Sequence, residues 1–201
     1  RAFFQQCGRF ASAKYENRNF EGALLRPEGR PLKQHFTMFA AYNAWANARL
    51  YEAVAELSDE EFDRDTGAFF KSLSGTLNHL LATDRIWMKR FTGEGDAPSS
   101  LDAVLHRDFL KLRAARTVED ERIVKWIGSL SEKALSGRFT YMTISDMRTV
   151  SQRLAPALAH LFNHQTHHRG QAHAQLTTLG KAAPPLDLAF FQRTEEGRAF
   201  A

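Results

Sequence analysis

Apolar side chains recur at helical spacing over most of the chain after residue 31. In the first such stretch, from Leu32 to about Ser58, one face of a predicted helix carries Phe36, Phe39, Asn43, Ala46, Leu50 and Val54. Ser58 and Glu61 then have the spacing of a capping box, in which each side chain bonds the other residue's backbone N–H. A short helical turn is therefore predicted directly after the first helix.

Two further helices follow from the same kind of spacing. The second is predicted to begin at Ser72, or two residues later, and to end at Thr92, before the Gly- and Pro-containing run 93–98. The third is predicted over residues 101–134, with a break and restart near residues 117–120.

The last third of the chain begins with a segment whose side chains favour β-structure rather than helix. Residues 137–150 are rich in β-forming side chains, which predicts a small hairpin or extended crossover that turns at residues 145–146. The fourth long helix is predicted from Ser151 to Leu179, with Pro156 in its first turns. A short helical element is predicted over residues 186–193. Four long helices with one small hairpin indicate an all-α helical bundle.

Charge and composition narrow the class of protein. Residues 1–31 lack a helical period, so we interpret them as an N-terminal extension outside one domain over residues 32–201. The first 30 residues carry +3 of the net charge of +4, so the rest is nearly neutral and lacks the basic stripe of nucleic-acid-binding domains. No stretch approaches the roughly 20 apolar residues of a membrane span. The single cysteine, Cys7, fits a reducing cytoplasm.

Histidines give the strongest chemical signal. Five of the eight lie between His160 and His173. His164 and His168 are one turn apart on the fourth predicted helix, so both imidazoles point the same way. His168 falls inside the apolar stripe of this helix and His164 at its edge. The stripe comprises Leu154, Leu158, Leu161, Ala172, Leu176 and Leu179.

A core-facing imidazole pair needs polar partners, because an unsatisfied buried nitrogen costs on the order of 1–3 kcal/mol. A divalent metal ion would satisfy both rings, and imidazole is the commonest metal ligand. Hydrogen bonds to other side chains would satisfy them too, and spacing alone leaves both alternatives open. His79 on the second helix is the best third ligand, although an ordinary core histidine is its simpler interpretation. His160 and His167 are candidates to contact the ligands, and His173 is expected to face solvent.

Several runs of the sequence resemble one family. The run from His160 to Gln171, which contains His167-His168-Arg169-Gly170, closely resembles the signature of the DinB-like (damage-inducible) proteins, relatives of the YfiT-type metal-dependent hydrolases. Further matches lie on the first two predicted helices and near the end of the chain, at residues 42–47, 77–80, 84–87 and 185–191. The resemblance covers about residues 32–193.

This resemblance implies an up-down-down-up four-helix bundle with one long crossover. It also implies that His79, His164 and His168 bind one divalent ion, reported in the family as nickel, zinc or iron. Three protein nitrogens leave a position for water or substrate, which is typical of a catalytic rather than a structural site. Gln171, almost one turn beyond His168, is expected to contact a neighbour of the ligands or the metal-bound water. We also expect a homodimer.

Three other polar residues are weaker candidates for a place beside the ligands: Tyr42, Asn43 and Asp84. Helix packing or capping is the simpler interpretation of each. Arg169 is expected to fix helix ends by ion pairing. Gln165 follows His164, so the His-Glu-x-x-His motif of zinc proteases is absent, and the catalytic group would be the metal itself or the substrate.

Two classes of function remain open from the sequence. The first is a metal-dependent enzyme with a small-molecule substrate. Related families include thiol-dependent S-transferases and a thiol-dependent maleylpyruvate isomerase, and hydrolysis by metal-bound water is the sister possibility. The second class is a non-catalytic metal-binding or stress-response protein. An open coordination position lined by polar groups would favour the enzyme, whereas a fourth protein ligand such as His160 or His167 would favour the binder.

Overall fold

The computed structural model describes residues 31–143 and 147–201. Within these ranges it contains seven α-helices and one antiparallel hairpin. In chain order they are α1 (Leu32–Val54), α2 (Asp59–Asp63), α3 (Leu73–Thr92), α4 (Phe109–Ser129), α5 (Glu132–Ser136), β1 (Arg138–Met142), β2 (Thr149–Arg153), α6 (Leu154–Thr178) and α7 (Leu188–Phe191), followed by a 3₁₀ turn, Arg198–Phe200. The hairpin pairs Arg138 with Arg153 at its open end and Met142 with Thr149 at the other.

Four long helices, α1, α3, α4 and α6, form the bundle. Both α1 and α3 pack against α4 and α6, so α1 and α3 lie on a diagonal. One apolar cluster joins the end of α1 and the start of α3 with the start of α4 and the end of α6, through Leu50, Leu73, Leu112 and Leu176. A second cluster joins the four opposite ends, through Phe36, Met88, Ile127 and Leu158. The helices therefore run up, down, down and up, as the resemblance implied.

Local signals in the sequence set the helix ends. Ser58 and Glu61 form the predicted capping box at the start of α2. The Ser72 hydroxyl accepts a hydrogen bond from the Gly75 N–H and caps α3. Gly93 ends α3 in the left-handed region at φ 76°, where a glycine carries no Cβ penalty. The second helix thus has the predicted bounds.

The third predicted helix was too long. No helix covers residues 101–108, because this segment is the crossover that runs back along α3. The Asn78 side chain holds it there: Oδ1 accepts from the N–H groups of Leu105 and His106 at 2.8 and 2.9 Å, and Nδ2 donates to the His106 carbonyl at 2.9 Å. A bond to a distant asparagine thus replaces the helical hydrogen bonds of these residues.

The other differences concern helix ends. No break occurs near residues 117–120, which lie inside α4. The end of the third predicted helix is the separate turn α5, which Ser131 caps. The fourth helix begins at Leu154 rather than Ser151, because residues 151–153 belong to β2. Pro156 lies in the first turn of α6, where its missing N–H leaves no helical bond unmade. The predicted turn at residues 145–146 lies outside the described residues.

A buried polar network crosses the middle of the bundle. Its members come from all four long helices: Asn43, Asn47, Asp84, Arg116, Asp120, Gln165 and Arg169. Arg116 lies 2.6 Å from Asp84 and 3.0 Å from Asp120. Burial raises the pKa of Asp84 to about 6, and the neighbouring Arg116 opposes this rise. Because the pKa stays below 7, this carboxylate is ionised at neutral pH. Two arginines and two aspartates balance the charge of the network.

Network contacts fix α6 in register. Gln165 donates to Asp84 on α3, and Arg169 donates to Asn43 on α1. Because Gln165 and Arg169 directly follow His164 and His168 in the chain, these bonds also set the rotation of α6 that brings the two histidines toward α3. Over the described ranges, no helix is both long and apolar enough to cross a membrane.

Candidate metal centre

Three histidines meet at the seam between α3 and α6. His79 lies on α3, and His164 and His168 lie one turn apart on α6. Their rings are close, with centroid separations of 5.3 Å for His79–His164, 4.5 Å for His79–His168 and 4.3 Å for His164–His168. Each offers one nitrogen, and these three nitrogens lie within 4.8 Å of one another. The three histidines could therefore hold a metal ion.

Hydrogen bonds at Nδ1 fix the tautomers of His79 and His168. The Nδ1 of His79 lies 2.6 Å from the Leu101 carbonyl oxygen, which only accepts, so this nitrogen carries the proton. The Nδ1 of His168 lies 2.7 Å from Oε1 of Gln171 and donates in the same way. Both Nε2 atoms are consequently unprotonated, and they face each other across 3.3 Å. Two lone pairs at this distance repel each other unless a cation lies between them.

His164 completes the set with an unpaired nitrogen. Its Nδ1 is buried and has no hydrogen-bond partner among the described residues. Burial, and then the neighbouring His168, lowers the pKa of His164 to about 3. Burial is also the first cause that lowers the pKa of His79 and of His168. All three rings are therefore neutral at physiological pH, which is the protonation state that binds metal. The residues present fit a divalent ion.

Aromatic and apolar groups cover one side of the three histidines. The Phe70 ring stacks on His79 at a centroid separation of 4.0 Å and meets His168 edge-on at 5.6 Å. His79 and His168 are accordingly only 6% and 9% exposed. The crossover contributes the Leu101 carbonyl oxygen, which contacts His79.

Two further histidines, His160 and His167, lie close to the three rings. The exposed His167 has its ring 4.7 Å from that of His168, and its Nε2 is 3.4 Å from Nε2 of Gln171. The His160 ring lies further off, 5.9 Å from that of His164. Neither His160 nor His167 belongs to the group of converging nitrogens, which among the described residues consists of His79, His164 and His168.

The structure places the other predicted residues differently. Gln171 bonds His168 itself, rather than only a neighbour of the three histidines as the sequence suggested. Tyr42 donates from its hydroxyl to the Leu186 carbonyl at 2.6 Å, and its ring lies 5.3 Å from the Arg169 guanidinium. Asn43 belongs to the buried network, as does Asp84. The structure thus gives these three residues packing and network contacts rather than contacts with the three rings.

Two expectations about single residues were wrong. Arg169 does not fix helix ends, because it is buried in the middle of the bundle and bonds Asn43. His173 does not simply face solvent, because it is half-buried and its Nε2 lies 3.1 Å from the Pro184 carbonyl oxygen. Both errors arose because helical spacing gives the direction of a side chain and not the element that it meets.

Sequence reasoning missed two contributors to the site, Phe70 and the Leu101 carbonyl. Phe70 lies in the loop before α3, where no periodicity marks a buried face. A backbone carbonyl has no residue-type signature at all. Asn78, next to His79, was the available signal, since a buried asparagine on a helix requires partners for both its amide groups.

Comparison with known proteins agrees with this architecture. The sequence profile of the DinB family matches residues 32–199. The chain is 26% identical over 164 residues to protein DinB of Bacillus subtilis (strain 168), a match that covers 77% of this chain and 94% of that protein. A crystal structure of a DinB-like protein from Bacillus cereus ATCC 10987 superposes with a TM-score of 0.55 at 16% identity, over 70% of this chain and 90% of the other. Since the family profile spans nearly the whole bundle, this chain belongs to the DinB family.

Proposed function

We propose that this protein is a metal-dependent enzyme in which His79, His164 and His168 hold a divalent ion and a small-molecule thiol is the reacting partner. The observation that carries the proposal is the pair of unprotonated Nε2 atoms of His79 and His168, which face each other at 3.3 Å. A donor set of three imidazoles suits nickel, zinc or iron. Three protein ligands leave a position for an exogenous group.

The absence of a carboxylate base beside the three histidines supports the thiol over water as the nucleophile. When bound, the ion would supply the positive charge that deprotonates a coordinated thiol at neutral pH. No carboxylate of residues 31–143 or 147–201 lies within ion-pair distance of the three rings. Asp102 is the acidic group that acts on His79 electrostatically, and the Ser100 hydroxyl holds its Oδ1. A thiol needs no such base, whereas activation of water usually benefits from one.

The chain's own residues hold and orient the reactants. The Leu101 carbonyl and Gln171 keep the Nε2 atoms of His79 and His168 directed at the same point. Phe70 excludes water from one side of the site. The exposed His167, whose ring is next to that of His168, can form a hydrogen bond with a bound molecule. The reaction class that fits is S-transfer or thiol-assisted isomerisation, and hydrolysis is the second candidate because the same open position would take water.

Metal content tests the ligand set. Protein purified without a histidine tag should retain close to one equivalent of a divalent transition metal by elemental analysis. The His164→Ala, His168→Ala double variant should retain essentially none. The matched control is His35→Ala, which removes an exposed histidine of α1 and should change nothing. Full metal content in the double variant would reject the site.

Thiol binding tests the reaction partner. The protein substituted with cobalt should change its visible spectrum when a low-molecular-weight thiol is added, because sulfur would enter the coordination sphere. The double variant serves as the blank. An unchanged spectrum at millimolar thiol, with cobalt bound, would reject the thiol-dependent enzyme. It would leave a metal-binding protein of the non-catalytic class, or a hydrolase.

A further inference from the structure

Arg90, near the end of α3, holds its charge between two aromatic rings and has no acidic partner. Its guanidinium carbon lies 4.7 Å from the Trp87 ring centroid and 4.7 Å from that of Tyr141 on β1. Its Nε is buried without a hydrogen-bond partner among the described residues. No ion pair joins Arg90 to any carboxylate in the described ranges. The two arginines buried in the bundle bond oxygens instead: Arg116 meets Asp84 and Asp120, and Arg169 meets Asn43. Arg49 also has a buried, unpaired Nε, but it stacks on one ring, that of Trp45, rather than between two.

The position of Arg90 connects it to the three histidines. Helices α3 and α6 run antiparallel, so His79 faces His168 at one level and Trp87 faces His160 at another, with centroid separations of 4.5 and 5.1 Å. The His160 ring lies 5.9 Å from that of His164, and the Arg90 charge acts electrostatically on His160. Trp87, His160 and Arg90 therefore continue the same seam away from the metal centre. His160 is exposed, so the seam is open to solvent at this end.

An arginine stacked between aromatic faces keeps the edge of its guanidinium available. Stacking fixes the plane of the group while its N–H donors point outward in a fork that matches a carboxylate. The atoms at the end of the Arg90 guanidinium are not among the buried unpaired atoms, whereas Nε is. The fork is thus accessible and already oriented.

We infer that Arg90 binds a carboxylate of the substrate, so that the enzyme acts on an anionic small molecule whose other end reaches the metal. This inference rests on the proposed function for the reacting end of the molecule. Trp87 and His160 would line the path between the two ends. Arg90 is a specificity-determining residue in this assignment and takes no part in the chemistry at the metal.

A purely structural role for Arg90 makes a different prediction. Positive side chains in the last turn of a helix stabilise it, and Arg90 also ties the hairpin to α3 through Tyr141. The neighbouring Lys89 is exposed and occupies the same turn. If Arg90 were only structural, its replacement would change stability and leave the discrimination between charged and neutral ligands unaltered.

The test uses thiols that differ in one end group. Zinc-loaded protein is titrated with 3-mercaptopropionate and 6-mercaptohexanoate, and with the alcohols 3-mercaptopropan-1-ol and 6-mercaptohexan-1-ol, near physiological ionic strength. At one or both chain lengths the acid should bind about tenfold more tightly than its alcohol, as a charge-assisted hydrogen bond predicts. Arg90→Met should abolish the preference and leave the affinity for the alcohols unchanged. The control Lys89→Met should keep the preference.

A second measurement needs no variant. The Nε–Hε resonance of Arg90 in the ¹⁵N spectrum of the wild-type protein should shift with the acids and not with the alcohols. Any of three results would overturn the assignment. The first is equal affinity for acid and alcohol at both chain lengths. The second is a preference for the acid that survives in Arg90→Met, and the third is an Arg90 resonance that does not shift with the acids. If no thiol binds the zinc protein, the proposed function fails. The carboxylate site at Arg90 is then tested separately with hexanoate and hexan-1-ol, which lack the thiol. If the Arg90 resonance shifts with hexanoate but not with hexan-1-ol, the carboxylate site is supported. If it does not shift with hexanoate, the site is rejected.

Discussion

The Nε2 atoms of His79 and His168 lie 3.3 Å apart, on helices that run in opposite directions. Two nitrogens that are each about 2.0–2.1 Å from a tetrahedral ion are separated by about 3.3–3.4 Å. The distance between the two Nε2 atoms thus equals that of a pair of zinc ligands. A backbone carbonyl of the crossover orients one ring and a side chain of α6 orients the other, so the two orientations can be perturbed separately.

Gln171→Leu should weaken metal binding without removing a ligand. The leucine cannot accept from Nδ1 of His168, so the ring loses both its fixed tautomer and its orientation. Loss of such a supporting bond typically costs 10–100-fold in metal affinity, and we expect about that change. Competition with a chromophoric chelator measures it. Gln34→Leu, at an exposed position of α1, should leave the affinity unchanged, and equal affinities in both variants would contradict the role of Gln171.

Asp84→Leu should destabilise the bundle by about 3–5 kcal/mol, because it leaves the Arg116 charge buried with Asp120 as its remaining acidic partner. The free energy of unfolding in urea, at neutral pH, gives the value. The effect is large because the substitution removes one of the two aspartates that balance the two buried arginines, Arg116 and Arg169.

Arg116→Met in the Asp84→Leu background is the matched test of this pair. If the two groups stabilise each other, the double variant should lose less stability than the two single losses combined. Strict additivity would show that Asp84 and Arg116 act independently, despite the 2.6 Å contact between them.

Two glycines in the bundle should respond to alanine in opposite directions. A Cβ on Gly75 would overlap the Phe70 carbonyl oxygen, so Gly75→Ala should cost about 1–3 kcal/mol and disturb the ring that stacks on His79. A Cβ on Gly170 would meet nothing within 4 Å, so Gly170→Ala should stabilise α6 by about 0.5–1 kcal/mol. Thermal unfolding distinguishes the two. Equal effects of both substitutions would contradict the packing of the loop before α3.

Glu61 should contribute a pH-dependent part of the stability. Its hydrogen bond from the Ser58 N–H, and then Lys181, lower the pKa of Glu61. A carboxyl whose pKa is lower in the folded state stabilises it above the unfolded pKa, and the contribution is lost as the pH falls through the folded pKa. Glu61→Gln keeps the capping bond and removes the charge. The stability difference between wild type and variant should therefore shrink from pH 7 to pH 3.

Glu60→Gln provides the control for this titration. Glu60 is an exposed neighbour on α2 and is not part of the capping box. Its replacement should leave the pH dependence of unfolding close to that of the wild type. A stability difference for Glu61→Gln that stays constant down to pH 3 would contradict the proposed interactions of its carboxylate.

Local sequence patterns predicted a helix end well when a capping residue or a glycine lies within a few residues of that end. The bounds of α3 follow from a serine cap and a glycine stop, and both act within a few residues of the helix end. The start of α4 also has a local cap, since Asp108 accepts from the Lys111 N–H. Helical spacing could not reveal that the preceding residues 105 and 106 are bonded by Asn78, more than 20 residues away. Local propensity yields to such tertiary contacts.

The sequence by itself determined that His164 and His168 lie on one face of a helix, because helical periodicity is a property of consecutive residues. Family resemblance, which includes a match at residues 77–80, strengthened the case for His79. Only the tertiary structure decided how the site is built: the antiparallel seam that brings His79 to the pair, the Leu101 carbonyl and Gln171 that set the tautomers, and the Phe70 ring above them. These contacts join residues far apart in the chain, and their geometry depends on packing, which no local pattern encodes.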